Sequence, residues 1–149
     1  MALAQTAKGV QILVKVGDGG DPETFAHNCS INGARSFQLS AGTNEISVPD
    51  CDDPNLMSWL VREKVSLGGT VQGAGVLNTP DLALFEAWAR DRDAKNCRVV
   101  VDVPGAAGGG YWSGAFHCTD FTISGDVGAS VDISVTLVST GELVFTTNA

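Results

Sequence analysis

Alternation of apolar and polar residues is strongest near the carboxyl end, where residues 111–141 predict one long β-hairpin. Every second residue of its return strand is apolar, which is the period of a strand with one buried face. Those residues are Val131, Ile133, Val135 and Leu137. Residues 125–128 supply the glycines and aspartate that tight hairpin turns favour. The other face is polar, so we expect it to lie beside further copies of the chain or to line a wet space.

A single clear helix is predicted over about residues 80–95. Thr79 suits the position before a helix, and Pro80 suits its first turn. Apolar residues follow at three- and four-residue spacing, among them Phe85 and Trp88. We interpret this stripe as the lid of a β core rather than as a partner-binding face.

Shorter apolar runs between turn residues predict the remaining strands. Their positions are 8–16, two pieces within 24–40, 45–48, 62–77, 97–103 and 143–147. Asn32-Gly33 predicts a hairpin turn between the two pieces in 24–40, and residues 55–60 predict a short helical turn. The glycines of residues 62–77 fit either strands in a crowded interface or a flexible loop.

Length and composition favour one mainly β domain covering residues 1–149. Charged residues make up 17% of the chain, below the usual level of about 25%. The low charge and 18 glycines are typical of a β protein with many turns.

The net charge of −8 argues against tight nucleic-acid binding, because an acidic surface repels phosphate. The same repulsion is useful where DNA must pass without sticking. No stretch approaches the roughly 18 apolar residues of a membrane helix, and the first eight residues do not resemble a signal peptide. We therefore expect no membrane partner.

The four cysteines have no zinc-binding spacing and are expected to be reduced thiols in a cytoplasm, with one disulfide as the alternative. They are Cys29, Cys51, Cys97 and Cys118. Acidic loops at 17–22 and 49–55 lack the ligand spacing of a calcium loop, so we interpret them as solvated turns. No metal or cofactor is expected.

Catalytic chemistry is not indicated by the sequence. The only histidines are His27 and His117. His117 adjoins Cys118, but neighbours on a strand point to opposite faces and cannot act together. No nucleophile-elbow motif occurs, so we expect no enzyme.

Three segments, taken in order, resemble the major tail tube proteins of long-tailed, siphovirus-like bacteriophages and related gene-transfer particles. The first is residues 15–25, directly after the opening strand. The second is the Gly- and Val-rich strand followed by the helix at residues 82–88. The third and most specific is residues 114–141, the predicted hairpin with its closing Ser-Thr-Gly.

This resemblance implies a β-sandwich or barrel-like tail tube fold with one flanking helix and a long hairpin near the carboxyl end. Six copies would form a ring, and rings would stack into a tube whose inner barrel passes DNA. The implied partners are further copies and the tape measure, tail terminator and distal tail proteins. The implied location is the virion tail, after assembly in a bacterial cytoplasm.

If the polar face of the hairpin lines such a tube, its carboxylates would present a negative wall to DNA. Asp132 is the first candidate, since it lies on the polar side of the return strand. Asp120 lies on the opposing strand, and Glu63 and Asp126 are further candidates.

Two other functions remain open. One is the tube subunit of a contractile secretion system, which the size and charge of the chain allow. The other is a small β-sandwich adhesin or sugar-binding module, for which Tyr111-Trp112 would be the exposed aromatic pair.

Overall fold

The computed structural model describes residues 2–148, which form one seven-stranded antiparallel sheet and one α-helix. The strands are β1 (Ile12–Gly17), β2 (Phe25–His27), β3 (Arg35–Val48), β4 (Trp59–Val76), β5 (Lys95–Val101), β6 (Gly110–Ser124) and β7 (Asp132–Thr147). The helix α1 spans Leu82–Arg90, and 3₁₀ turns occur at Gly9–Gln11, Thr79–Asp81 and Gly105–Ala107. The strand order is β2-β1-β5-β6-β7-β4-β3.

The sheet curls so that its two edges meet over a common core. Strands β2 and β3 follow each other in the chain but lie at opposite edges, joined by residues 28–34. Arg35 Nη1 donates to the carbonyl oxygen of Ile12 at 2.8 Å and ties one edge to the other. Ile31 is fully buried where the two edges meet. A Cβ at Gly73 would lie 2.7 Å from the Cγ2 of Ile31. Gly73 is therefore a place of close approach in a continuous strand.

The predicted hairpin turn at Asn32-Gly33 is wrong. The segment is a crossing between edges, in which Gly33 N–H donates to the carbonyl of Ala74 at 2.9 Å. Local turn propensity could not reveal this, because β2 pairs with β1 and β3 pairs with β4. The opening strand also begins later than predicted, at Ile12 rather than residue 8.

Helix α1 closes the core, as its apolar stripe predicted. Phe85 and Trp88 are buried, and the Phe85 ring stacks on Phe121 at a centroid distance of 5.3 Å. Trp88 Nε1 donates to the carbonyl oxygen of Phe116 at 3.2 Å. The helix is shorter than the predicted 80–95, because Lys95 already pairs with Phe116 as part of β5.

The long hairpin is confirmed as β6 and β7. Ile133, Val135 and Leu137 are buried, and the polar residues between them face away from the core. The predicted separate strand at 143–147 belongs to β7, which continues through an irregularity in its pairing with β6 near residue 114.

Strands β3 and β4 are much longer than the short pieces predicted. They pair from Arg35 opposite Gly73 to Val48 opposite Trp59, with one bulge beside Gly42. The predicted helical turn at 55–60 is wrong, because Trp59 and Leu60 already belong to the ladder. Cross-strand pairing overrides the weak local preference of that segment.

All four cysteines are free thiols, two exposed and two buried. Burial raises the pKa of Cys97 to about 12, with a smaller contribution from the Glu23 carboxylate. The Cys97 thiol therefore stays protonated and unreactive at neutral pH. Within residues 2–148, no helix has the length and apolar character needed to cross a membrane.

Candidate assembly surfaces and conduit wall

Four neighbouring strands, β6, β7, β4 and β3, form a ribbon with one core face and one polar face. The register places side chains from all four strands on the polar face. They include Ser36, Gln38, Ser40, Thr70, Gln72, Thr122, Ser124, Ser134 and Thr136. Alternation along the paired strands puts no lysine or arginine of the described ribbon on this face. The face is uncharged to acidic.

Of the four candidate carboxylates, the register places two, Asp132 and Asp120, on the polar face of the hairpin. Asp132 lies opposite both Ser124 and Val76, and Asp120 lies opposite Thr136. Because Asp132 and Thr136 are four residues apart on one strand, Asp120 shares their face. All of these positions belong to the hairpin that the sequence predicted.

Glu63 and Asp126 lie at the two ends of the ribbon. Glu63 is opposite Asn44, beyond the bulge, on the continuation of the polar face. Asp126 is in the β6–β7 turn, where its carbonyl accepts the Ala129 N–H at 3.0 Å. The sequence missed Gln72 and its neighbours, because their place beside the hairpin depends on the β4–β7 pairing.

The ribbon has an unpaired edge on each side. Strand β3 is the outermost strand, and its 14 residues pair only with β4. On the other side β5 pairs with β6 only as far as Phe116, so residues 117–124 have no strand beside them within residues 2–148. Long unpaired edges are templates for pairing with another chain.

Beyond the bulge, β3 and β4 project from the body as a two-stranded arm, residues 43–64. Apolar side chains are exposed along it: Ile46, Val48, Leu56, Met57, Trp59, Leu60 and Val61. Trp59 is 86% exposed. An isolated two-stranded ribbon is marginal in water, and exposed apolar groups of this extent mark contact surfaces. The arm therefore has the character of a contact surface.

Tyr111 and Trp112 do not form an exposed aromatic platform. The Trp112 ring packs inward, 4.9 Å from Phe37 and 5.1 Å from Phe145. Tyr111 points to the other face, where its ring lies 5.0 Å from the Arg98 guanidinium carbon. Because the rings lie on opposite faces, the pair cannot stack together on one sugar.

The acidic loops use their carboxylates to hold backbone turns. Asp18 accepts N–H groups of Gly20 and Thr24 at 2.9 and 3.1 Å, and these bonds lower the pKa of its carboxyl. Asp50 accepts those of Asp52 and Asp53 at 2.7 and 3.2 Å. In the part of the chain that the structure describes, no three His, Cys, Asp or Glu side chains converge as a metal site.

A polar-faced ribbon, two open edges and a projecting arm define a subunit made for self-assembly. A sequence model of a family described as phage tail tube protein matches residues 6–145. The chain therefore belongs to the phage tail tube protein family and is a structural protein of the virion tail.

Solved structures share the fold at low sequence identity. The tail of an empty gene transfer agent particle, computed with C6 symmetry, matches with a TM-score of 0.70 and 21% identity, covering 96% of this chain and 99% of that one. The SPP1 tail tube matches with a TM-score of 0.66 and 12% identity, covering 96% of this chain and 80% of that one.

A contractile machine also has a chain of this fold. The sheath–tube complex of an extracellular contractile injection system matches with a TM-score of 0.60 and 14% identity, covering 95% of this chain and 92% of that one. A search of proteins with curated descriptions found no match.

Proposed function

We propose that six copies of this chain close into a ring and that rings stack into a tail tube through which DNA leaves the particle. The C6 symmetry of the related gene transfer agent tail supports the copy number. Residues 1–149 act as one domain in this role, which requires no catalysis or cofactor. The tube is assembled in the bacterial cytoplasm, and its ends meet the tape measure, tail terminator and distal tail proteins.

The two free edges of the ribbon carry this proposal. Neighbouring strands alternate in direction across β6, β7, β4 and β3, so β6 and β3 run in opposite directions. When copies are related by rotation about a tube axis, β3 of one copy meets β6 of the next in antiparallel orientation. An even number of strands therefore lets the ladder continue through every subunit junction. A closed barrel removes both edges.

The polar face then lines the channel. Asp120 lies on it within the hairpin, Asp132 and Asp126 lie toward the end that carries the β6–β7 turn, and Glu63 lies toward the other end. With no cation on the wall, phosphates find no binding partner, and water with mobile ions separates DNA from protein.

Electron microscopy of the purified chain at high concentration tests the assembly. We expect rings and hollow tubes with six-fold symmetry, because the free edges and the exposed arm are satisfied only between copies. A chain that stays monomeric in sedimentation at all concentrations would overturn the proposal.

The channel wall is tested by Asp132→Lys in assembled particles. The side chain is exposed, so we expect the chain to fold and to package DNA, but to eject it slowly or incompletely. The delay should be largest at low salt, where the Debye length is about 30 Å at 0.01 M, and small at 1 M, where it is about 3 Å. Ejection kinetics in the two salts are the measurement.

Asp93→Lys is the matched control, because Asp93 is exposed in the turn after the helix and not on the polar face. It makes the same change in charge and should eject DNA at the normal rate. Normal ejection by Asp132→Lys particles at every salt concentration would remove Asp132 from the channel wall.

The tube of a contractile injection system is the second candidate, because a chain of such a machine shares the fold. In that case the outer surface of the tube would bind a sheath. Co-purification of tubes with a sheath protein from the native source separates the two functions.

A further inference from the structure

An apolar cleft opens at the base of the arm. Its volume is about 350 Å³, and its walls include Leu39 and Leu67 on one side and Trp112, Leu143 and Phe145 on the other. It exists because β4 pairs with β7 only up to Val138, after which the two strands separate. Leu39 is 55% and Leu67 is 75% exposed. The cleft is concave and unfilled by the chain itself.

A convex apolar surface lies at the other end of the ribbon. Val127 projects from the tip of the β6–β7 turn and is completely exposed. Within the turn, the Ala129 N–H donates to the Asp126 carbonyl at 3.0 Å, and Gly128 has φ 88°, which favours glycine. Ile123 and Val131, at the ends of the strands beside it, are also exposed. A valine held at a turn tip in water is a candidate for insertion into a partner.

Strand β4 connects the two surfaces. It borders the cleft at Leu67 and ends at Val76, which pairs with Asp132 beside the turn. At about 3.3 Å per residue, this places the surfaces roughly 30 Å apart along the strand. One surface is concave and the other is convex.

We propose that Val127 of a subunit in one ring inserts into the cleft of a subunit in the next ring, so that the occupant of the cleft is a second copy of this chain. Two unlike surfaces at opposite ends of a subunit make a head-to-tail contact, which repeats without limit along an axis. The edges of the ribbon close each ring, whereas this contact joins rings. The inference rests on the proposed tube and adds the contact that stacks it.

Two single variants separate stacking from ring closure. Val127→Asp and Leu67→Asp each place a carboxylate in the apolar contact, and both sites are exposed, so folding is preserved. We expect rings from both variants and a loss of tubes in electron micrographs. Gln72→Asp is the control, because Gln72 is exposed on the polar face of β4 about midway between the two surfaces, and it should still form tubes.

A mixture of the two variant rings gives a sharper readout. Val127→Asp rings keep an intact cleft, and Leu67→Asp rings keep an intact turn. Mixed together, they should form pairs of rings, in which the intact turns of one ring enter the intact clefts of the other. Nothing longer should form, because the two outer ends of each pair carry the substituted surfaces. Pairs formed by either variant alone, or no pairs in the mixture, would overturn the head-to-tail assignment.

Photocrosslinking identifies the occupant directly. With benzoylphenylalanine in place of Val127, wild-type-length tubes should crosslink to peptides containing Leu67 or residues 141–145 of another copy. Crosslinks to other segments, or tubes formed by Val127→Asp, would overturn the inference and leave the proposed tube intact. If the wild-type chain forms neither rings nor tubes, the proposed function itself fails.

Discussion

Trp88→Ala should destabilise the protein by about 3–5 kcal/mol, the usual cost of removing a buried tryptophan. Trp88 is 1% exposed, and its indole N–H donates to the Phe116 carbonyl at 3.2 Å. The substitution leaves a cavity between α1 and β6 and removes the hydrogen bond to the Phe116 carbonyl. For a chain of 149 residues, each kcal/mol lowers the melting temperature by about 2–4 °C, so soluble yield should also fall.

The same substitution at Trp59 is the control. Trp59 is 86% exposed on the arm, so Trp59→Ala should change the free energy of unfolding of the monomer by no more than about 0.5 kcal/mol. Both values come from denaturant unfolding at a concentration where the chain is monomeric. Equal effects of the two substitutions would contradict the assignment of α1 as the lid of the core.

Proline in the free edge of β3 should abolish ring formation. Neighbouring residues of an antiparallel strand alternate between donating to the partner strand and pointing outward. Two double variants are compared, Gln38→Pro/Ser40→Pro and Leu39→Pro/Ala41→Pro. Because of the alternation, one of them removes N–H groups that bond to β4, and the other removes N–H groups that point outward from the free edge. Proline removes the N–H and places its ring in the path of an incoming strand.

The two double variants control for each other. The variant that loses outward donors should keep its circular dichroism and melting temperature but sediment as a monomer. The variant that loses bonds to β4 should be destabilised. Gln38→Ala/Ser40→Ala removes the side chains without the backbone change and should assemble. Normal rings from both proline variants would show that β3 is not the ring-closing edge.

Several elements could be predicted from the sequence because their signals are local. The alternation over residues 131–137 identified β7 and its buried face at Ile133, Val135 and Leu137, and the turn at 125–128 fixed its partner strand. Val131 was wrongly placed on that face, because it precedes the strand and is exposed. The spacing of Phe85 and Trp88 identified both the helix and the side that is buried. These patterns report burial directly, since one period belongs to strands and the other to helices.

The failures occurred where long-range pairing outweighs local preference. Asn32-Gly33 has the chemistry of a hairpin turn, yet its segment crosses from one sheet edge to the other. Residues 55–60 resembled a helical turn, but pairing with β3 makes Trp59 and Leu60 part of a long strand. A ladder of backbone hydrogen bonds to a distant segment cannot be read from the residues of one strand.

The residues of the candidate channel wall also divide into those that local sequence identified and those that only strand pairing placed. The sequence by itself determined that Asp132, Ser134 and Thr136 share a polar face, because the period of a strand is two. Only the tertiary structure decided that Asp120 joins them, that β4 and β3 extend the face, and that β6 is open beyond residue 116. Those facts depend on which strands are neighbours and where pairing stops, and register is set by the packing of the whole sheet.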